Sequence, residues 1–275
     1  MSLVDLHLHL LPGVDDGPAD EAASLEHARR LASAGVREAT VTPHVGHPEF
    51  PLDVATIAER TRALQAALDA EGVRLRVRPG GELHPAGAAT LRARELEHVA
   101  QGPVGARWVL AEVPFAGIVE PFLEGCARVR SLGFGLVIAH PERAARFLDA
   151  GLRALRGELQ RGALLQVNVC SLLGRQGEAA HAGALRLVQG GLAHVLASDG
   201  HGAGRAHTLA DGIEPARRAG ASVVRAWQLT AANPAFLLRA GVPRDAPASA
   251  AVPWRSPHAR AVGRLLTEAR RAAAL

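Results

Sequence analysis

The feature that most constrains the fold is a rhythm. Short apolar runs recur along the chain, each followed by an Ala/Leu/Arg/Glu-rich stretch with apolar residues at helical spacing. The runs predict strands over Val4–Leu10, Glu38–Thr42, Arg74–Gly80, Trp108–Val113, Gly135–Ala139, Ala163–Asn168 and Ala193–Ser198. Helices are predicted over Asp20–Ala34, Asp53–Glu71 and Val119–Ser131, among others. Gly35, Gly72, Gly133, Gly162 and Gly190 punctuate the helical ends. About seven strand–helix units in series build a parallel sheet with helices packed on it, and they suffice to close one. No sequence repeat accompanies the rhythm.

The chain has 275 residues, a length that one α/β barrel fills as a single domain. After about Arg239 the pattern lapses into "AGVPRDAPASAAVPWRSPH". The expected organisation is therefore one domain over residues 1–240 and a Pro/Ala-rich tail over 241–275, with a short terminal helix at Arg260–Leu275.

Composition removes several classes of function. The isoelectric point of about 10.5 suggests nucleic-acid binding, yet the formal net charge is only +4. All basic side chains are arginine, which raises the isoelectric point almost automatically, and no basic run stands out. No apolar stretch reaches membrane-spanning length, and the segment after Met1 lacks a signal peptide's basic start. Cys126 and Cys170 make neither a disulfide framework nor a zinc ribbon. A cytoplasmic protein without membrane insertion or nucleic-acid partner is expected. Its oligomeric state is not encoded in any pattern here.

The chemistry sits where strands end. The first predicted strand ends in His7 and His9, with Asp15 and Asp16 in the turn that follows; "VTPH" ends the second with His44. "PGGELH" brings Glu82 and His84, "LAEVP" Glu112, and "IAHPER" His140, Glu142 and Arg143. "QVNVCS" brings Asn168 and Ser171, and "LASDGHGAGR" brings Asp199, His201 and Arg205. Taken singly, each has a plain reading: Asp15–Asp16 as turn residues, Asp20 as an N-cap, His44 as a satisfied core histidine. Taken together they do not. Burying so many ionisable groups at one rim is prohibitive unless cations lie between them. Nitrogen and oxygen donors without thiolate suit Mn, Fe, Zn or Mg, and the donors exceed what one ion can use.

This ordered set (H-x-H, D-D-G, T-P-H, G-x-E, A-E, A-H-P-E-R and A-S-D-x-H) resembles the polymerase and histidinol phosphatase (PHP) superfamily. Within it, "LPGVDDGPAD", "IAHPER" and "QVNVCSLLGRQG" are similar to the manganese-dependent tyrosine-protein phosphatases of capsule and exopolysaccharide operons, the CpsB/YwqE-like group. The likeness spans about residues 4–240. It implies a distorted (β/α)7 TIM-like barrel holding three divalent ions, manganese foremost. By motif, His7, His9, Glu82 and Asp199 would bind one ion. Glu82, Glu112 and His140 would bind a second, and Asp16, His44 and His201 a third. Arg143 and Arg205 would hold the phosphate. The implied partner is a bacterial tyrosine kinase bearing phosphotyrosine. The chain departs from the group at Val45, Gly46 and His47, at Gly200–Ala206, and at His84, all near the substrate mouth.

Other enzymes fit less well. A cysteine-based tyrosine phosphatase needs arginine six positions after its cysteine, and here those positions hold Leu132 and Gln176. A histidinol-phosphate type enzyme is the nearest alternative, against which stand Asp16 and Glu112. Metal-dependent amide or ester hydrolases of related barrels often use a carboxylated lysine, absent here. A non-catalytic phosphate-binding module would have lost donors, and none is missing. His47, His84 or a water are candidates for the general acid.

Overall fold

The computed structural model describes residues 2–115, 119–144 and 152–242. The predicted terminal helix at Arg260–Leu275 lies outside them. Among the described residues there are nine strands, most of them separated by helices: β1 (Leu3–Leu8), β2 (Val36–Val41), β3 (His44–Val45), β4 (Arg76–Pro79), β5 (Glu82–Leu83), β6 (Trp108–Glu112), β7 (Gly135–Ala139), β8 (Leu164–Asn168) and β9 (Val195–Ala197). Every predicted strand is present, within a few residues at its ends. Beyond the ends predicted for the second and third, each is followed by a further two-residue strand, β3 and β5. Pro43 has no N–H to give the ladder, and Gly80–Gly81 interrupts the other.

All ladder pairings are parallel. They form one sheet in the order β1-β2-β4 and another in the order β3-β5-β6-β7-β8-β9. A parallel bridge from Leu8 to Gly200 links the first strand to the segment after β9. There Asp199 N–H donates to His7 O at 2.9 Å and His9 N–H to Gly200 O at 3.0 Å. The helix Glu21–Ser33 begins as expected, with the Asp20 carboxylate accepting from Ala23 N–H at 2.8 Å.

Side-chain alternation sorts the strands into two buried faces. The larger apolar cluster joins Leu8, Val36, Val41, Val109, Ile138, Leu165 and Leu196 to helical residues such as Leu31, Leu64 and Val129. The smaller joins Val4, Leu6, Trp108, Leu110, Val137, Ala139, Leu164 and Val195. Continuing that second face toward the carboxyl ends gives Glu112 on β6, Gln166 and Asn168 on β8, and Asp199 beyond β9. The polar site is thus the upper storey of the smaller core.

In β1 simple alternation fails. Leu6 belongs to the smaller cluster and Leu8 to the larger, and the pairing register shifts between Asp5 and Leu8. Such an irregularity turns His7 toward the face that already holds Leu6. Both His7 and His9 then aim the same way.

Candidate functional site

His7, His9, Asp16, His44, Glu82, Glu112, Asp199 and His201 come together, with His140 in contact with Glu82, whereas Glu142, Ser171 and His84 make other bonds. His7, His9, Glu82, His140, Asp199 and Glu112 are nearly or wholly buried, as are His44 and His201. Three overlapping donor groups arise: His7, His9, Glu82 and Asp199; His44, Glu82 and Glu112; and His9, Asp16, His44 and His201. The grouping differs from the motif partition in two details. His44 stands with Glu82 and Glu112, while His140 reaches Glu82 by a 2.7 Å contact, and His9 joins the Asp16 group.

The spacing tests whether cations fit. His7 Nε2 lies 3.2 Å from Glu82 Oε2 and 3.3 Å from Asp199 Oδ1, and His9 Nε2 lies 3.2 Å from Glu82 Oε2. A tetrahedral shell with bonds of about 2.0–2.1 Å sets neighbouring donors about 3.3 Å apart. Orientation makes the stronger case. His201 Nε2 is 3.1 Å and His44 Nε2 3.4 Å from Asp16 Oδ1, while His44 Nδ1 is 3.3 Å from Glu82 Oε2. Yet His201 Nε2 and His44 Nδ1 are buried without a hydrogen-bond partner. The atoms converge without bonding one another, which is how ligands face a shared ion. The residues fit divalent cations, with nitrogen and oxygen donors of the borderline-to-hard kind.

Electrostatics agree. Burial pushes Glu112 up to about 9, assisted by the Glu82 charge. Burial alone would raise Asp199 too, but the imidazoles of His7, His201 and His140 hold it well below the carboxylate range. His9 is lowered by burial and lifted back far above an ordinary imidazole by Asp15 and Glu82. Burial takes His140 down to about 4. The cluster binds protons where an ion could sit, so cation uptake releases them.

Backbone strain falls in the same place. His140 (φ 31°) and Asp199 (φ 50°) are the two described non-glycine residues with positive φ. Left-handed backbone outside glycine is costly and gathers at functional sites.

Arg143 and Arg205 stand at the rim. Arg143 Nη1 lies 3.5 Å from Asp199 Oδ2, and its guanidinium sits 4.1 Å above the half-exposed Phe115 ring. Arg205 Nη2 donates to Asp16 Oδ2 at 2.6 Å. On the far side, Phe50 stacks on His44 with centroids 5.3 Å apart, and His47 packs against Phe50 at 4.8 Å and His84 at 4.6 Å. His84 also caps its helix, Nδ1 accepting from Ala86 N–H at 3.2 Å.

Two kinds of residue escaped the motif reading. Asp15 is a turn residue as expected, accepting from Gly17 N–H at 3.0 Å, but its other oxygen takes His9 Nδ1 at 2.8 Å and His44 N–H at 3.1 Å. The doubled aspartate was the available signal. Asn168 was named at its strand end, but Gln166, two residues before it on β8 and on the same polar face, was not. Strand alternation could have found it.

The class defined so far is a parallel α/β protein with overlapping groups of candidate cation donors at its strand ends. Residues 3–239 match the family model for capsular polysaccharide synthesis, CpsB/CapC, and the chain belongs to that family. It is 32% identical over 201 residues to the tyrosine-protein phosphatase YwqE of Bacillus subtilis, an alignment covering 72% of this chain and 77% of that protein. A crystal structure from a study of YwqE from Bacillus subtilis and CpsB from Streptococcus pneumoniae, described as unique metal-dependent tyrosine phosphatases, superposes with a TM-score of 0.73. It is 28% identical, with 86% of this chain and 94% of that one covered. The phosphotriesterase homology protein of Escherichia coli, 14% identical, matches in fold with a TM-score of 0.54 over 85% of this chain and 97% of its own.

Proposed function

We propose that the chain is a metal-dependent phosphomonoesterase that removes phosphate from tyrosine, on a bacterial tyrosine kinase governing polysaccharide synthesis or export. The observation that carries this is the run of donor groups joined through Glu82, His9 and His44, with two arginines over its edge. Membership of the CpsB/CapC family and likeness to YwqE support the substrate. The ligand set is the one named by motif: His7, His9, Asp16, His44, Glu82, Glu112, His140, Asp199 and His201, for three ions with manganese foremost. The parallel strands are read as one distorted seven-unit barrel over residues 1–240, supported by the Leu8–Gly200 bridge. Of the Pro/Ala-rich stretch read as a tail over 241–275, Val242 packs into the smaller core and its N–H donates to Ala106 O at 3.0 Å, and residues 243–275 lie outside the described residues.

Divalent ions held there supply Lewis acidity and lower the pKa of water, so that a nucleophile exists near neutral pH. The chain does the rest. Arg143 and Arg205 offer planar donor forks to the phosphoryl oxygens, releasing their contacts to Asp199 and Asp16 as they do so. Phe115 beneath Arg143 keeps that fork from collapsing into solvent. No thiolate is required: burial pushes Cys126 up to about 12 and raises Cys170 as well.

The test is parallel turnover of p-nitrophenyl phosphate, a phosphotyrosyl peptide and histidinol phosphate, before and after metals are stripped and Mn2+ is restored. The aryl phosphates are expected to be cleaved faster, and only with metal. Preference for histidinol phosphate would reverse the substrate, and turnover surviving thorough chelation would end the metal mechanism.

A further inference from the structure

β8 ends in two primary amides to which the ligand partition gives no role, Gln166 and Asn168, both fully buried. An amide's oxygen and nitrogen are interchangeable until a neighbour of fixed polarity decides between them. Here one does. The backbone N–H of His140, which can only donate, lies 3.3 Å from Gln166 Oε1. That atom must accept, so it is the oxygen. His7 Nδ1 shares the same oxygen at 3.1 Å and must therefore carry a proton.

The polarity then propagates. Gln166 Nε2 donates to Asn168 Oδ1 at 2.7 Å, which commits Asn168 Nδ2 to donate to Asp199 Oδ2 at 2.6 Å. The far end is pinned as well, since Asn168 N–H donates to Glu142 Oε1 at 2.8 Å. Asp199 is left with Oδ1 facing His7 Nε2 and His9 Nε2, at 3.3 and 3.6 Å. On the other side, His7 Nε2 is the ring position free to exchange a proton for a cation.

We infer that Gln166 and Asn168 form a one-way amide relay, fixed by the His140 backbone, that sets the ring tautomer of His7 and turns a single Asp199 oxygen toward the cation centre. Both are positioning residues. Gln166 also holds the N–H of a strained residue, His140, so one side chain steadies two arms of the site. Partners that orient a histidine ligand commonly change metal affinity by about 10- to 100-fold when removed.

The inference rests on the metal-centre reading above, and its test measures cation uptake, not turnover. Mn2+ is titrated into the metal-stripped full chain against a chelator of known affinity, for wild type, Gln166→Leu, Gln166→Glu and Asn168→Ala. The Zn2+-loaded proteins are compared by NMR for a slowly exchanging His7 ring N–H. Gln166→Leu should weaken the tightest site by about 10- to 100-fold and lose that resonance. Gln166→Glu, which keeps an acceptor for His7 and His140, should retain the resonance. Asn168→Ala should retain it too while weakening Mn2+, because only the Asp199 limb is cut. If Gln166→Leu does not fold, the split behaviour of Asn168→Ala carries the test. A ring proton undisturbed by Gln166→Leu, or wild-type Mn2+ affinity in both Gln166→Leu and Asn168→Ala, would overturn the relay. A wild-type chain that takes up no cation would instead remove the centre itself.

Discussion

The buried histidines fall into two sets, one that faces carboxylates and one that does not. On the rim side, His7, His9, His44 and His201 face Asp15, Asp16, Glu82 and Asp199. The second set is His27 and His207, equally buried. There His207 Nε2 meets only the carbonyl of Ser198, at 2.6 Å, and neither ring nitrogen of His27 has a hydrogen-bond partner. The protonation preferences of His9 and His27 run in opposite directions, although burial also lowers His201 on the rim side. His9 is lifted above an ordinary imidazole by Asp15 and Glu82, whereas burial, with His207, Arg30 and His201 nearby, takes His27 down to about 4. A buried imidazole is therefore not in itself a cation ligand. The carboxylates opposite it decide.

The sharpest way to break this comparison is to remove a carboxylate from the rim. Glu82 belongs to two of the three donor groups and contacts His140 as well. Glu82→Gln keeps the shape and deletes the charge. Metal ions supply several kcal/mol of transition-state stabilisation, so the loss in p-nitrophenyl phosphate turnover should be on the order of 10³-fold. Mn2+ stoichiometry should fall with it. Retention of both by the variant would mean that the rim's carboxylates confer nothing that the second set of histidines lacks.

The second test acts on the other set. His27 has a folded-state pKa of about 4 against an ordinary 6.5. A base depressed in this way leaves stability intact above about pH 6.5 and erodes it as pH falls toward 4, because the unfolded chain takes the proton first. The erosion amounts to about 3 kcal/mol at the acid end of that window. His27→Leu should remove it, seen as a flatter dependence of urea midpoints on pH between 6.5 and 4 than in wild type. Turnover at neutral pH should be unchanged, since His27 faces no donor group. Parallel pH profiles for the two proteins would show that His27 is not buried uncharged.

The divide between the two sets explains how much the sequence could reveal. The strand–helix rhythm located seven of the nine described strands and missed the two-residue β3 and β5, and residues just past the apolar runs make up the candidate donor groups, because parallel strands end at a common edge. The HxH pair was legible as a pair. Its orientation was not, since it depends on the register shift between Asp5 and Leu8, where alternation alone would have set His7 apart from Leu6. Asp15 looked like turn chemistry because it is turn chemistry, with a second oxygen left over for His9. Gln166 carries no charge and no assigned role in the motif it opens; its part appears only when β7 brings the His140 N–H beside it. His27, at helical spacing with Ser24 and Leu31, reads as an ordinary buried-face residue, and its missing partner is invisible until Gly200 comes against it.

The smallest effect concerns Gly200 itself. A methyl group added at Gly200 would lie 2.7 Å from His27 Nε2 and 3.3 Å from Leu8 Cδ1, so the first clash falls on the unpartnered ring. The backbone at Gly200 also matters to the rim, because its carbonyl accepts from His9 N–H at 3.0 Å. Overpacking of this kind costs about 1–2 kcal/mol where a neighbour can yield. Gly200→Ala should therefore lower stability by about that much, measured by denaturant unfolding of the metal-free protein. In a His27→Ala background the same substitution should cost little, a coupling of about 1 kcal/mol between adjoining residues. Mn2+ affinity should then be the same with and without the added methyl. If the penalty persists after His27 is removed and Mn2+ binding weakens with it, the rim has moved instead of the ring. The two histidine sets would then be mechanically joined through Gly200.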